Sequence, residues 1–166
     1  MTRTAAREIA VHMVFQQDFG VRSAQEVLEE ELQPERFARL AAEEPLYRQF
    51  PEEEQQAYIR TLVQGVAQHR DELDSYISRY AVGWSVTRLP RMAAAIIRTA
   101  MFELLHMPDV PAAAAINEAV EIAKGYEPPE VVSFINGILG TFVRQEDPRG
   151  GQEPAEDQPA GEEPRE

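Results

Sequence analysis

From Thr4 to Val143 the apolar residues recur at intervals of three and four, and no stretch alternates apolar with polar as a half-buried strand does. That spacing commits the chain to helices packed on helices. Proline and glycine divide the pattern. A first helix is expected from Thr4 to Asp18, closed by Gly20 in a left-handed turn. A second starts at Ser23, with Glu26 three residues on completing a capping box. Leu32 to Pro51 is a proline-bearing connector with room for one short helix at Glu35 to Ala42. Pro51, followed by Glu52, Glu53 and Glu54, starts a helix whose acids complement the positive end of its dipole. Its face is Tyr58, Ile59, Leu62, Val63 and Val66. Asp71 caps a helix burying Leu73, Ile77 and Tyr80, which breaks near Gly83 ahead of Trp84. Pro90 to about Met107 is apolar over most of its circumference and is expected to be central. Ala112 to Lys124, stopped by Gly125, and Pro128-Pro129 to about Val143 complete the set. The expected fold is an all-α compact bundle of about seven helices.

A length of 166 residues suits one domain, alone or with tails. The final segment, GGQEPAEDQPAGEEPRE, has almost no apolar residue to offset its ordering entropy. Residues 1–145 are therefore read as the helical domain and 146–166 as a disordered acidic tail, unstructured from about Asp147. No apolar run approaches the roughly 20 residues that span a bilayer. With no cysteine, disulfides, thiolate metal sites and a thiol nucleophile are ruled out, and a reducing compartment, the cytoplasm, is the expected location.

A net charge of −13 argues against a polyanionic partner only if it is evenly spread. Ten acids against three arginines give −7 between Glu26 and Glu54, and eight against two give −6 between Glu146 and Glu166. Those two stretches carry the whole excess. The remaining helical sequence is neutral, so RNA is not vetoed, although nonspecific binding should be weak.

Catalytic patterns are missing from the sequence. His12, His69 and His106 fall on separate helices without the spacing that puts two imidazoles on one metal, so no metal site is expected. There is no phosphate-binding glycine loop, nucleophile elbow or dinucleotide fingerprint, and the glutamate runs are solvated with nothing to raise a pKa. No cofactor and no enzymatic activity are expected. Asn117 and Asn136 stand mid-helix, where asparagine is disfavoured, and are expected to satisfy a backbone group or a neighbouring side chain. Lys124, the sole lysine, ends its helix and reads as a structural cation.

Arg3 and Arg7 lie one turn apart, and steps of four lead on to Val11 and Phe15. Two guanidiniums followed by an aromatic could meet phosphates and then stack a base. An N-terminal arginine pair is common on any helix, so solvated arginines beside a core Phe15 remain the other reading.

Three stretches carry a resemblance. Ala6-Arg7-Glu8-Ile9-Ala10-Val11, the central Arg88-Leu89-Pro90-Arg91 with Ile96-Ile97-Arg98-Thr99-Ala100-Met101-Phe102-Glu103-Leu104, and the pair Ile116–Lys124 and Phe134–Leu139 resemble stretches of the NusB family, the last two in order and at the right separation. The chain resembles that family of bacterial transcription antitermination factors from about Ala5 to Val143. The resemblance implies two helical subdomains, the first holding an RNA-facing arginine helix. It implies binding, as a heterodimer with the small-subunit ribosomal protein NusE, to the single-stranded boxA element of ribosomal RNA leader transcripts. The complex would then join RNA polymerase with other Nus factors and suppress termination, with no reaction catalysed.

Carried over by position, Arg7 matches an RNA-contacting arginine, and Phe15 replaces an aromatic two turns later. Glu130 matches an acidic residue beside the RNA path and Phe134 an aromatic that stacks on a base. Arg3 joins them from the helix stripe, and Arg91 and Ala93 mark the expected surface for the partner protein. Thr4, Ala5 and Ala6 dilute the arginine cluster usual in relatives, which predicts fewer phosphate contacts and a shallower salt dependence. Ala93 and Ala94 replace an acid and a base usual in the family, the first near the RNA and NusE surface. The alternative expectation is a helical interaction or oligomerisation module without RNA binding, suggested by the charge and the thin arginine cluster. A homodimer burying the first helix is compatible with either. The RNA-binding region of a ribosomal RNA methyltransferase is set aside because no methyl-donor domain follows.

Overall fold

The computed structural model describes residues 1–84 and 88–150; most of the expected acidic tail lies outside the described residues. Among them are eight α-helices, one 3-10 turn and no strand: α1 Arg3–Phe19, α2 Ala24–Glu31, α3 Pro34–Leu40, the 3-10 turn Pro45–Arg48, α4 Glu53–Gln68, α5 Arg70–Tyr80, α6 Arg91–His106, α7 Ala112–Lys124 and α8 Pro129–Glu146. The chain forms two compact units, Met1–His69 and Arg70–Glu166. The all-α expectation and the two helical subdomains hold, with the connector helix present as α3.

In the first unit α1 packs along α4, and α2 bridges to both. The buried stripe Ala6, Ile9, Ala10, Met13 and Val14 mixes small and branched side chains, which lets α1 lie close to Ile59, Leu62 and Val63 of α4. Thr2 caps α1 by accepting from the Ala5 N–H at 3.0 Å. Ser23 and Glu26 form the expected capping box at α2, with bonds of 3.1 and 2.8 Å. Two local expectations change. Gly20 is extended, at φ −114° and ψ −174°, so α1 ends without the left-handed turn and the chain bends through Gly20 and Val21 towards the Ser23 cap. Pro51 precedes the helix, and Glu52 is the residue that caps α4, its N–H donating to Gln55 Oε1 at 3.1 Å.

The second unit is built on α6, which packs against α5, α7 and α8 and is buried from Ala93 to Leu104. Its polar members are paired inside. The Arg98 Nε donates to Asp74 Oδ1 at 2.7 Å, and Thr99 Oγ1 donates back to the Ala95 carbonyl at 2.8 Å. Asp71 sits in the first turn of α5 and not at its cap, since the helix already starts at Arg70. At the far end of α5, Arg79 and Tyr80 both donate to Glu146, closing α5 onto the last turn of α8. Their hydrogen bond holds the Glu146 carboxyl below its ordinary value and lifts the Tyr80 phenol.

The folded chain runs past the expected tail boundary. After α8, Asp147 adopts a left-handed conformation at φ 47° and turns the chain back. Arg149 then donates from Nε to the Leu104 carbonyl at 2.9 Å and from one terminal nitrogen to the Glu103 and Met107 carbonyls at 3.0 and 3.1 Å. Those carbonyls lie at the C-terminal end of α6; the Glu103 and Met107 carbonyls also accept from the Met107 and Val110 N–H groups at 3.0 Å each, and the guanidinium adds its bonds there and at Leu104.

Candidate nucleic-acid interface

The residues singled out in the sequence fall on two faces, one in each unit. On the first, the i, i+4 spacing of α1 sets Arg3 and Arg7 above the same ring. The Arg3 guanidinium lies 4.2 Å from the centroid of Tyr58 and that of Arg7 5.7 Å. Tyr58 is buried, so the ring is a fixed support for both cations and its quadrupole favours their charge. Arg3, Glu54, Gln55 and Tyr58 line a surface pocket of about 230 Å³. The two arginines are not equivalent. Arg3 is exposed, whereas Arg7 is only 5% exposed and belongs to the packed part of the unit.

Phe15, two turns beyond Arg7, is half-buried and meets the exposed Phe19 edge-on, with centroids 4.7 Å apart. Between Arg7 and Phe15 on the helix, His12 Nδ1 and the Tyr47 hydroxyl are hydrogen-bonded at 2.7 Å, which ties the acidic connector to α1. Burial pushes the His12 imidazole below its ordinary value despite the pull of Glu8 and Glu44, and burial also raises the Tyr47 phenol.

On the second face, Glu130 occupies the exposed first turn of α8, where an acid complements the helix dipole. Phe134 follows one turn on and is half-buried. Its ring is 5.6 Å from that of Trp84, tilted by 43°. Trp84 is held by the turn before it: Gly83 takes φ +85°, a region open to glycine, and the Trp84 N–H donates to the Ala81 carbonyl at 3.0 Å. Sequence reasoning placed Trp84 in a loop without giving it a neighbour. The available signal was the chain's one tryptophan standing directly after a glycine in a helix break.

For the expected partner surface, Arg91 is exposed at the first position of α6. Ala93 is 0% exposed, so its methyl group offers no surface to a partner. Its side chain points into the packed side of the most buried helix, which the sequence alone did not distinguish from the rim.

Asn117 and Asn136 also depart from expectation. Both are exposed and line, with Val120, Glu121, Val132 and Ser133, a pocket of about 280 Å³ between α7 and α8. Lys124 pairs with Glu121 at 2.7 Å on the exposed end of α7, a solvated contact worth little.

Among the described residues the fold is made of helices, with arginines braced on a ring in one unit and a partly exposed aromatic pair near a carboxylate in the other, the make-up of a candidate binding surface. The comparisons give the family. Residues 4–144 match the NusB family. The transcription antitermination protein NusB of Symbiobacterium thermophilum is 38% identical over 144 residues, 87% of this chain and 90% of that protein. That of Thermoanaerobacter sp. strain X514 is 36% identical over 146 residues, 88% and 93% of the respective chains. The solved structure of T. maritima NusB superposes with a TM-score of 0.68 at 25% identity, covering 90% of this chain and 96% of that one. The chain belongs to the NusB family of transcription antitermination proteins. Among the described residues, no helix is long and apolar enough to cross a membrane.

Proposed function

We propose that this protein is a non-catalytic cytoplasmic RNA-binding adaptor that engages a boxA-type single-stranded RNA together with NusE and helps RNA polymerase resist termination in the complex with other Nus factors. The observation that carries this is the exposed Arg3 guanidinium 4.2 Å above a buried ring, on the helix where the family resemblance implies an RNA-contacting arginine. A cation whose direction is already fixed gives up less side-chain freedom when it meets a phosphate. Arg7 adds its charge from beneath, over the same ring, and Phe15 extends that face, while Glu130 and Phe134 supply a hydrogen-bond acceptor and a stacking ring for an unpaired base. Arg91 is the residue left to meet NusE. With few cations on α1 and a net charge of −13, the protein relies on its partner for affinity that electrostatics would otherwise give.

Fluorescence anisotropy of a boxA-type RNA against the protein, with and without NusE and at two salt concentrations, tests the proposal. Binding above that of a scrambled RNA, tightened by NusE and weakened by Phe134→Ala with the fold intact, is the expected result. No specific binding with NusE present overturns it. One observation favours the other reading, a protein-interaction or oligomerisation module: Arg7 is buried and has little surface to give a phosphate. A homodimer measured by light scattering that is indifferent to RNA would select that reading.

A further inference from the structure

Trp84 is the chain's single tryptophan, and 41% of its surface is open. A ring this large contributes most when it is buried, so leaving it on a tight turn forgoes a large burial gain. The turn itself is built, not loose. Left-handed Gly83 and the Ala81–Trp84 backbone hydrogen bond fix where the indole starts, and Leu89 and Ala81 on either side of the break are buried. The result is an indole held next to Phe134, on the face where α8 also presents Glu130.

The ring geometry limits what such a pair can do. A base sandwiched between two rings needs two van der Waals contacts of about 3.5 Å, roughly 7 Å in all. The centroids of Trp84 and Phe134 are 5.6 Å apart and inclined at 43°, too close and too tilted to admit a base between them. A base can therefore reach only the outward face of each ring. Two rings from separate elements, inclined at 43°, present two neighbouring stacking faces where a single phenyl group would present one.

We propose that Trp84 is a base-stacking residue of the RNA surface, extending the Phe134 ring so that two successive unpaired bases are stacked where one would otherwise be. The inference rests on the RNA-binding reading given above. Its ligand is an unpaired stretch of single-stranded RNA, and its chemistry is sequence-tolerant stacking with indole as the stronger π surface.

The sole tryptophan makes the test direct. A single-stranded boxA-type RNA is titrated, in the presence of NusE, into the full-length protein and into Trp84→Phe, Trp84→Leu and Trp84→Ala, following anisotropy of labelled RNA; changes in tryptophan emission on RNA addition are followed in parallel, the emission of a complex of NusE with Trp84→Phe serving as the baseline. Stacking predicts quenching of the Trp84 emission that saturates with binding. It also predicts near-native affinity for Trp84→Phe and a loss of roughly tenfold or more for Trp84→Leu and Trp84→Ala, the equivalent of about 1–3 kcal/mol per stacked base. A merely packing role for the indole would be kept by leucine, so leucine binding like the native protein overturns the proposal. Native binding without quenching overturns it as well, while leaving the RNA reading intact. If the native protein with NusE fails to bind RNA at all, both fall together.

Discussion

The two candidate faces are built by opposite means. In the first unit charge is presented and the ring is hidden: Tyr58 is buried and serves the arginines above it. In the second unit the rings are presented, and the charge beside them, Glu130, is negative. A phosphate is met by the first arrangement and repelled by the carboxylate of the second, whereas an unstacked base suits the second. The difference teaches that affinity and discrimination need not reside in the same place. Phosphate contacts position a strand and base contacts specify it.

The comparison can be broken most severely by unseating the second face. Phe142 is fully buried in α8, edge-on to Tyr76 at 5.0 Å. Phe142→Ala should cost about 3–5 kcal/mol of stability in chemical denaturation, since the site empties and α8 carries both Glu130 and Phe134. Phe134→Ala should leave the fold standing and weaken RNA binding by about 1–3 kcal/mol, while the slope of log affinity against log salt stays unchanged. Arg3→Ala should show the reverse signature, with a smaller loss of affinity, about 0.5–1 kcal/mol, that comes with a flatter salt slope by roughly 1. If Arg3→Ala changed discrimination between RNAs and Phe134→Ala changed the salt slope, the division of labour would be refuted.

The smallest effect concerns what anchors α1. Because burial lowers the folded-state value of His12 below 6.5, the unfolded chain binds the proton first as pH falls. The stabilising contribution of His12 is thus complete above pH 6.5 and is lost progressively below it, down to the folded-state value. His12→Gln, which can keep a hydrogen bond to Tyr47 without titrating, should flatten stability across that acidic window when melting is followed against pH. A native protein whose stability did not fall there would contradict the assignment.

Much of the fold was legible because its signals are local. The capping box at Ser23 and Glu26 needs only four residues to be recognised, and the apolar circumference of α6 needs only its own sequence. Gly20 failed as a helix stop for the converse reason: a glycine permits a left-handed turn, but the residues after it decide whether one is used. The candidate surface was less legible, since exposure is a property of neighbours far along the chain. Arg7 and Arg3 look alike on a helical stripe, and only the packing of the unit makes one buried and the other open. Ala93 reads as a truncated contact residue until the helix around it is seen to be buried on that side. Trp84 was read only as a loop residue, since nothing next to it in sequence announces Phe134 fifty residues on.

The guanidinium of Arg149 carries a consequence for the order in which the second unit is completed. It closes the carbonyl end of α6, yet it is made 42 to 46 residues after the groups it satisfies. As the chain emerges in sequence, α6 can wind and α7 and α8 can dock while that end has only the Met107 and Val110 N–H groups to meet its carbonyls, and Leu104 looks to water. The central helix receives its final lock almost last, so a chain cut at the end of α8 would keep every helix and still leave its most buried one unfastened.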